Sequence, residues 1–272
     1  MSCDGNCGSC GSKGSCEEIV KATPTSDTKI GKIVAVLSGK GGVGKSSVTS
    51  LLAVELAKSG KKVGILDGDI TGPSIPRMFG LDTTVEGDEE GIYPAVSKSG
   101  IKIVSVNFML DSEDTPLVWR GVMLGNILTQ FYSEVHWGEL DYLLIDMPPG
   151  TSDVAISMFQ KIPVDEIVMV TTPSKLVSMV VSKAINMSNS VNVPIVGMVD
   201  NMAYVKCDEC GHNIMIYKDD NSQEVCDRFG LPLLAKMPID VEVSNLCDNG
   251  LIEDYDGSYL SEVVNSLSQE EK

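Results

Sequence analysis

The stretch Gly39-Lys40-Gly41-Gly42-Val43-Gly44-Lys45-Ser46 constrains this chain more than any other. It meets the spacing G-x4-G-K-S through Gly39, Gly44, Lys45 and Ser46. It also lies between a β-branched apolar run, residues 32–37, and a helical one, residues 46–59, which is the context such a loop requires. Glycines here let successive backbone N–H groups turn toward phosphate oxygens, and the following helix adds the positive end of its dipole. Lys45 is placed to neutralise the β- and γ-phosphates, and the Ser46 hydroxyl to ligate Mg2+. The loop, with Gly41, Gly42, Val43 and Ser47 completing it, predicts a site for a nucleoside triphosphate, ATP with magnesium.

A strand–loop–helix unit needs a larger frame. Further strands are predicted at residues 63–66, 101–106, 142–145, 167–170, 195–199 and 233–235. Helical apolar spacing separates several of them, at residues 122–132, 152–160, 174–186 and 223–228. This alternation predicts an α/β fold, a doubly wound and mostly parallel sheet flanked by helices, with its ligand at the carboxyl edge. A content of 43% hydrophobic but only 5% aromatic residues leaves a core of aliphatic and Met side chains, as a sheet buried on both faces needs. Residues 1–30 read as a flexible Cys-rich tail and linker, and residues 31–267 as the P-loop domain. Residues 82–100 read as an acidic surface excursion and residues 268–272 as a frayed end.

Two acidic groups belong at neighbouring strand ends. Asp146 precedes Met147-Pro148-Pro149-Gly150-Thr151. There a carboxylate can hold Mg2+ through a water, and the Pro-Pro-Gly turn can sense the γ-phosphate. Asp67-Gly68-Asp69 follows residues 63–66; Asp69 is assigned to orient the attacking water, with Asp67 nearer the magnesium. Carboxylates at strand ends also serve as helix caps, a reading that stays open for Asp67 above all.

A formal net charge of −17 argues against a grip on nucleic acid or on anionic lipid, both of which need clustered Lys and Arg. No apolar run approaches the ~18 residues that span a bilayer, and the first residues are unlike a secretory signal. The expected compartment is the cytoplasm. Reducing conditions there make the eight Cys metal ligands, redox groups or core residues rather than disulfides.

Lys40, inside the loop, is not demanded by the general motif. It resembles the deviant loop of MinD-, ParA- and nitrogenase-iron-protein-like ATPases, whose extra lysine reaches across a dimer to the partner's nucleotide. More of the chain resembles the Mrp/ApbC family of iron–sulfur cluster carrier ATPases and their eukaryotic cytosolic scaffold relatives. The matching stretches include Asp67-Gly68-Asp69-Ile70-Thr71-Gly72-Pro73-Ser74, Trp119-Arg120-Gly121, Trp137-Gly138-Glu139-Leu140-Asp141-Tyr142, Thr171-Thr172-Pro173, Asp200-Asn201-Met202 and Cys207-x2-Cys210-Gly211. The resemblance implies that Asn201 contacts the adenine and that a nucleotide-bound homodimer is the working form. Val122 and Ser152 depart from the family's usual Pro and Gly, and neither removes a group assigned to chemistry.

Two thiolates spaced as Cys207 and Cys210 bind one edge of a metal site but cannot complete a shell of four. A twofold dimer supplies the second pair, giving a bridging 4Fe–4S cluster, which the resemblance also implies. Closure by His212 and Cys226 around zinc, or a dithiol redox pair, stays open. Cys226 and Cys247 read as small buried hydrophobes. The set Cys3, Cys7, Cys10 and Cys16 can wrap a cluster within one flexible segment, and its last three members resemble the amino-terminal motif of the eukaryotic scaffold branch; zinc is the alternative. His136 and the two Trp read as packing residues. The expected function is an ATP-hydrolysing iron–sulfur scaffold or carrier serving recipient apoproteins, with no nucleic acid or membrane partner. A MinD- or ParA-like positioning ATPase and a zinc-binding interaction module are the alternatives.

Overall fold

The computed structural model describes residues 21–69, 74–81, 87, 91–109, 121–150, 153–173, 177–217, 220 and 222–269. In chain order its elements are β1 (Lys29–Ser38), α1 (Lys45–Lys58), β2 (Val63–Asp67), α2 (Ile75–Met78), β3 (Ala95–Val96), β4 (Lys102–Ser105), α3 (Gly121–Glu134) and β5 (Glu139–Asp146). They continue as α4 (Asp153–Lys161), β6 (Glu166–Thr171), α5 (Val177–Val191), β7 (Ile195–Lys206), β8 (Asn213–Met215), α6 (Ser222–Phe229), β9 (Leu233–Pro238), α7 (Val241–Asp248) and α8 (Ser261–Ser268).

The sequence of β1 dictates its place. Ile33, Ala35 and Leu37 fall on one face and Val34 and Val36 on the other, and all five are buried. A strand buried on both faces belongs inside a sheet covered on both sides. β1 pairs in parallel with β5 along one edge and β6 along the other. The sheet order is β3-β4-β2-β5-β1-β6-β7-β8, with β9 parallel to β7. Only β3 and β8 among the described strands run antiparallel to their neighbours.

Parallel neighbours cannot be joined by tight hairpins, so the crossovers become the covering layers. On the Ile33/Leu37 face, α3, α4, α5 and α6 bury Leu128, Phe131, Phe159, Val181 and Cys226. On the Val34/Val36 face, α1, α2 and α8 bury Leu52, Leu56, Ile75, Val263 and Leu267, with α7 adding the partly buried Val243 and Leu246. Trp137 is fully buried, and its Nε1 donates to Phe131 O at 3.1 Å.

The doubly wound α/β frame expected from the sequence is the one observed. Several elements differ in extent. β7 runs on past residue 199 to Lys206, although Asp200 and Asn201 interrupt its apolar pattern; pairing with β8 and β9 holds the extension. α7, which has no fully buried residue, and the eight-residue α8 are not among the helices predicted from the sequence. His136, assigned to packing without a partner, sits 3.0 Å from Asp27 Oδ2 through Nδ1 and stacks on Tyr93. Cys3, Cys7, Cys10 and Cys16 lie outside the described residues, as do residues 70–73, 151–152, 174–176 and 270–272 of the expected segments. No helix among the described residues is long and apolar enough to cross a membrane.

Candidate functional site

β1 ends at Ser38 in the middle of the sheet and α1 begins at Lys45, so the glycine loop sits at the carboxyl edge, where doubly wound sheets bind ligands. Gly44 has φ 74°, a left-handed backbone, and a Cβ there would come within 2.3 Å of Asn201 Nδ2. A Cβ on Gly39 would overlap Val180 Cγ1 of α5 at 1.9 Å. Close approach therefore requires both glycines. α1 has no side-chain cap, which leaves its first backbone N–H groups to an anion.

The acids assigned from sequence converge on this loop. The β2–β5 register sets Asp67 beside Asp146. Asp146 is fully buried; its Oδ2 accepts from Ser46 Oγ at 2.6 Å and lies 2.7 Å from Lys45 Nζ. Thr49 Oγ1 donates to Asp146 Oδ1 at 2.8 Å. Asp69 Oδ2 stands 3.5 Å from the same Lys45 ammonium. The buried Lys45 ammonium is thus held between two carboxylates at the foot of the loop. Asp67 accepts from Ser105 Oγ at 3.0 Å and from Asp69 N at 3.2 Å. Burial, and then the charge of Asp146, push its carboxyl up to about 8, against the pull of Ser105 and Lys45. Buried carboxylates that crowd one another in this way suit a divalent cation beside phosphate oxygens. The residues present therefore fit magnesium and a nucleotide.

Lys40 is exposed on the loop, apart from this cluster. The Pro-Pro-Gly turn folds back on the loop, with Gly150 N donating to Ser38 O at 2.7 Å. Beside α1 opens a cavity of about 270 Å³, with Ser47, Asn201, Pro238, Asp240, Cys247 and Tyr259 in its walls. Such a pocket, mixing apolar and polar walls, suits a nucleobase. Asn201 stands at its edge, with Nδ2 donating to Val43 O at 2.9 Å and Oδ1 accepting from Met202 N at 3.0 Å. Here Asn201 ties β7 to the phosphate loop. Asp240 caps α7 through the N–H groups of Glu242 and Val243, and its Oδ2 accepts from Tyr255 and Tyr259 hydroxyls at 2.9 and 3.1 Å.

The sequence reading missed this cavity, although Pro238-Ile239-Asp240 at a strand end carries the signature of a helix start. It missed Thr49 and Ser105 as well, which occupy ordinary helix and strand positions. Cys247, expected as a core filler, is a half-buried wall of the cavity; burial raises its thiol and a hydrogen bond with Ser47 partly opposes that.

β7 continues into the second centre. Gly211 N donates to Cys207 O at 2.8 Å and Cys207 N donates to His212 O at 2.9 Å, closing a tight turn with Gly211 at φ 69°. Backbone hydrogen bonds from Cys210 and Glu209, and one with the Cys210 side chain, hold the Cys207 thiol below its ordinary value. Donors aimed at sulfur favour the thiolate, the form that binds metal. Among the described residues no group of three or more His, Cys, Asp or Glu could hold a metal ion. Cys226, weighed as a zinc partner, is instead fully buried on the inner face of α6, where burial pushes its thiol up to about 11. His212 is exposed. Val205, Ile214, Met215 and Ile216, on or beside the β7–β8 hairpin, are exposed apolar side chains around the two cysteines.

A family model described as ParA, NUBPL iron-transfer P-loop NTPase, matches residues 29–270. The iron–sulfur cluster carrier protein of Clostridium perfringens is 43% identical over 258 residues, covering 92% of this chain and 90% of that one. The iron–sulfur cluster carrier protein of Methanocaldococcus jannaschii is 41% identical over 258 residues, covering 92% and 89%. Among solved structures, a nucleotide-binding protein of Archaeoglobus fulgidus in complex with ADP, with cobalt found, is 40% identical with a TM-score of 0.76, over 85% of this chain and 90% of that one. The cell-division ATPase MinD of Pyrococcus furiosus shares the fold alone, with a TM-score of 0.61 at 21% identity over 87% and 98%.

Proposed function

Since this chain belongs to the ParA-like P-loop NTPase family of iron–sulfur cluster carriers, we propose that it holds a 4Fe–4S cluster between two copies of itself and hands it to apoproteins under control of ATP. The observation that carries this reading is the half-built thiolate site. Cys207 is primed by N–H···S bonds on a surface turn that it shares with Cys210, and no third donor joins the pair among the described residues. A second copy related by a twofold axis would bring the missing pair, and the exposed apolar side chains around the turn would be covered in the same step.

In this reading the backbone N–H groups of the loop and Lys45 hold the triphosphate. Ser46 and Asp146 serve the metal, with Asp67 beside them. Magnesium, when bound, supplies positive charge to the transferring phosphoryl group. Asp69, 3.5 Å from Lys45 Nζ, orients the attacking water, and Lys40 reaches the nucleotide of the second copy. Asn201 and the cavity beyond it take the base. Cys3, Cys7, Cys10 and Cys16 hold a second cluster ahead of the ATPase domain, in a cytoplasmic protein.

Lys45→Ala should lower ATP turnover about 10²-fold or more and abolish the delivery of iron and sulfide to an apoprotein in living cells. Undiminished delivery by that variant would remove ATP from the account.

A further inference from the structure

β7 touches both centres. At Asn201 it bonds the phosphate loop through Val43 O, and Met202 Cε lies 3.2 Å from where a Cβ on Gly44 would sit. At Lys206 it ends, and Cys207 follows. An extended strand covers the interval in about 20 Å at about 3.3 Å per residue. Between the two ends the strand is kinked. Met202 has φ 56°, a left-handed backbone that residues other than Gly, Asn and Asp seldom adopt. The pairing of β7 with β9 shifts register over the same interval, between Asp200 and Tyr204.

Beyond the kink the strand is gripped again. Tyr204 pairs with Met215 of β8 and Pro238 of β9, and its carbonyl accepts from Ile239 N at 2.7 Å. Pro238 and Ile239 also line the cavity beside the loop. A base in that cavity would bear on both sides of the kink, on Asn201 and Met202 before it and on Pro238 and Ile239 after it. A left-handed residue of this kind persists only while its surroundings hold it. A change in those surroundings therefore reaches whatever the strand carries.

We infer that the kink at Asn201 and Met202 couples the two centres: nucleotide in the loop and cavity sets the pose and rigidity of the hairpin that bears Cys207 and Cys210. Asn201 and Met202 are positioning residues in this scheme. The inference rests on the nucleotide and cluster assignments above, yet it can fail while they stand.

The test is hydrogen exchange of the metal-free full chain, read by mass spectrometry over residues 203–216. Wild type, Met202→Gly and Met202→Asn are each compared without nucleotide and at a MgATP concentration that saturates that protein. In wild type MgATP should slow exchange in this hairpin about fivefold or more. Met202→Gly frees the backbone at the kink, so it should lose most of that difference. Met202→Asn keeps a residue tolerant of the left-handed backbone and should retain it. A full difference in Met202→Gly would overturn the coupling. So would protection in wild type confined to the loop and cavity, which decides the matter even where Met202→Gly fails to fold. Failure of the cluster reading registers separately, as zinc without sulfide after anaerobic reconstitution, and leaves the exchange result intact.

Discussion

Asp200 is fully buried on β7. Burial is the main cause that pushes it up to about 6; Asp220 adds to the shift, while Ser222 and Lys236 oppose it. An acid whose folded pKa lies above its unfolded one stabilises below the unfolded value, and that contribution is lost as pH rises through the folded one. Asp200→Asn, neutral throughout, should therefore stabilise the protein at pH 7.5 by at most about 3 kcal/mol. The gain should shrink away near pH 4. Thermal melts at the two pH values check this, and a gain equal at both would refute it. Single residues were legible in the sequence where chemistry depends on local spacing. Gly39, Gly44, Lys45 and Ser46 declared themselves in this way, and Asp69 and Asp146 could be placed at strand ends. Thr49 could not, because its bond to Asp146 exists only once α1 packs beside β5.

At the scale of elements, strands buried on both faces were readable as unbroken apolar runs, and α1 followed from the loop. β7 was read only as far as residue 199, since a polar pair looked like its end. The strand continues because β9 and β8 satisfy its backbone there. α7 escaped because its role is to wall the cavity rather than to fill the core. Its start depends on Asp240, which caps the helix and holds two tyrosine hydroxyls. Asp240→Ala should cost about 1–2 kcal/mol in stability and weaken MgATP binding, while inorganic triphosphate binds as before. Calorimetric titration with the two ligands separates these effects. Equal weakening of both would mean that α7 acts on the phosphate loop and not on the base.

For the whole molecule, the doubly wound sheet was predicted correctly because alternating strands and helices allow little else. Two centres on one sheet edge were not readable in the same way. The sequence offers a phosphate loop and a C-x2-C pair far apart in number, and only β7 brings their relation into view. The central proposal is that a second copy completes the surface half-site of two thiolates. The direct measurement is anaerobic reconstitution of a chain in which Cys3, Cys7, Cys10 and Cys16 are replaced by Ser. Iron, sulfide and mass under native conditions are read with Mössbauer spectra, beside the same chain carrying Cys207→Ala and Cys210→Ala. The account predicts one 4Fe–4S cluster per two chains in the first protein, and neither cluster nor cluster-linked dimer in the second. Zinc without sulfide, or a cluster held by a single chain, would contradict it.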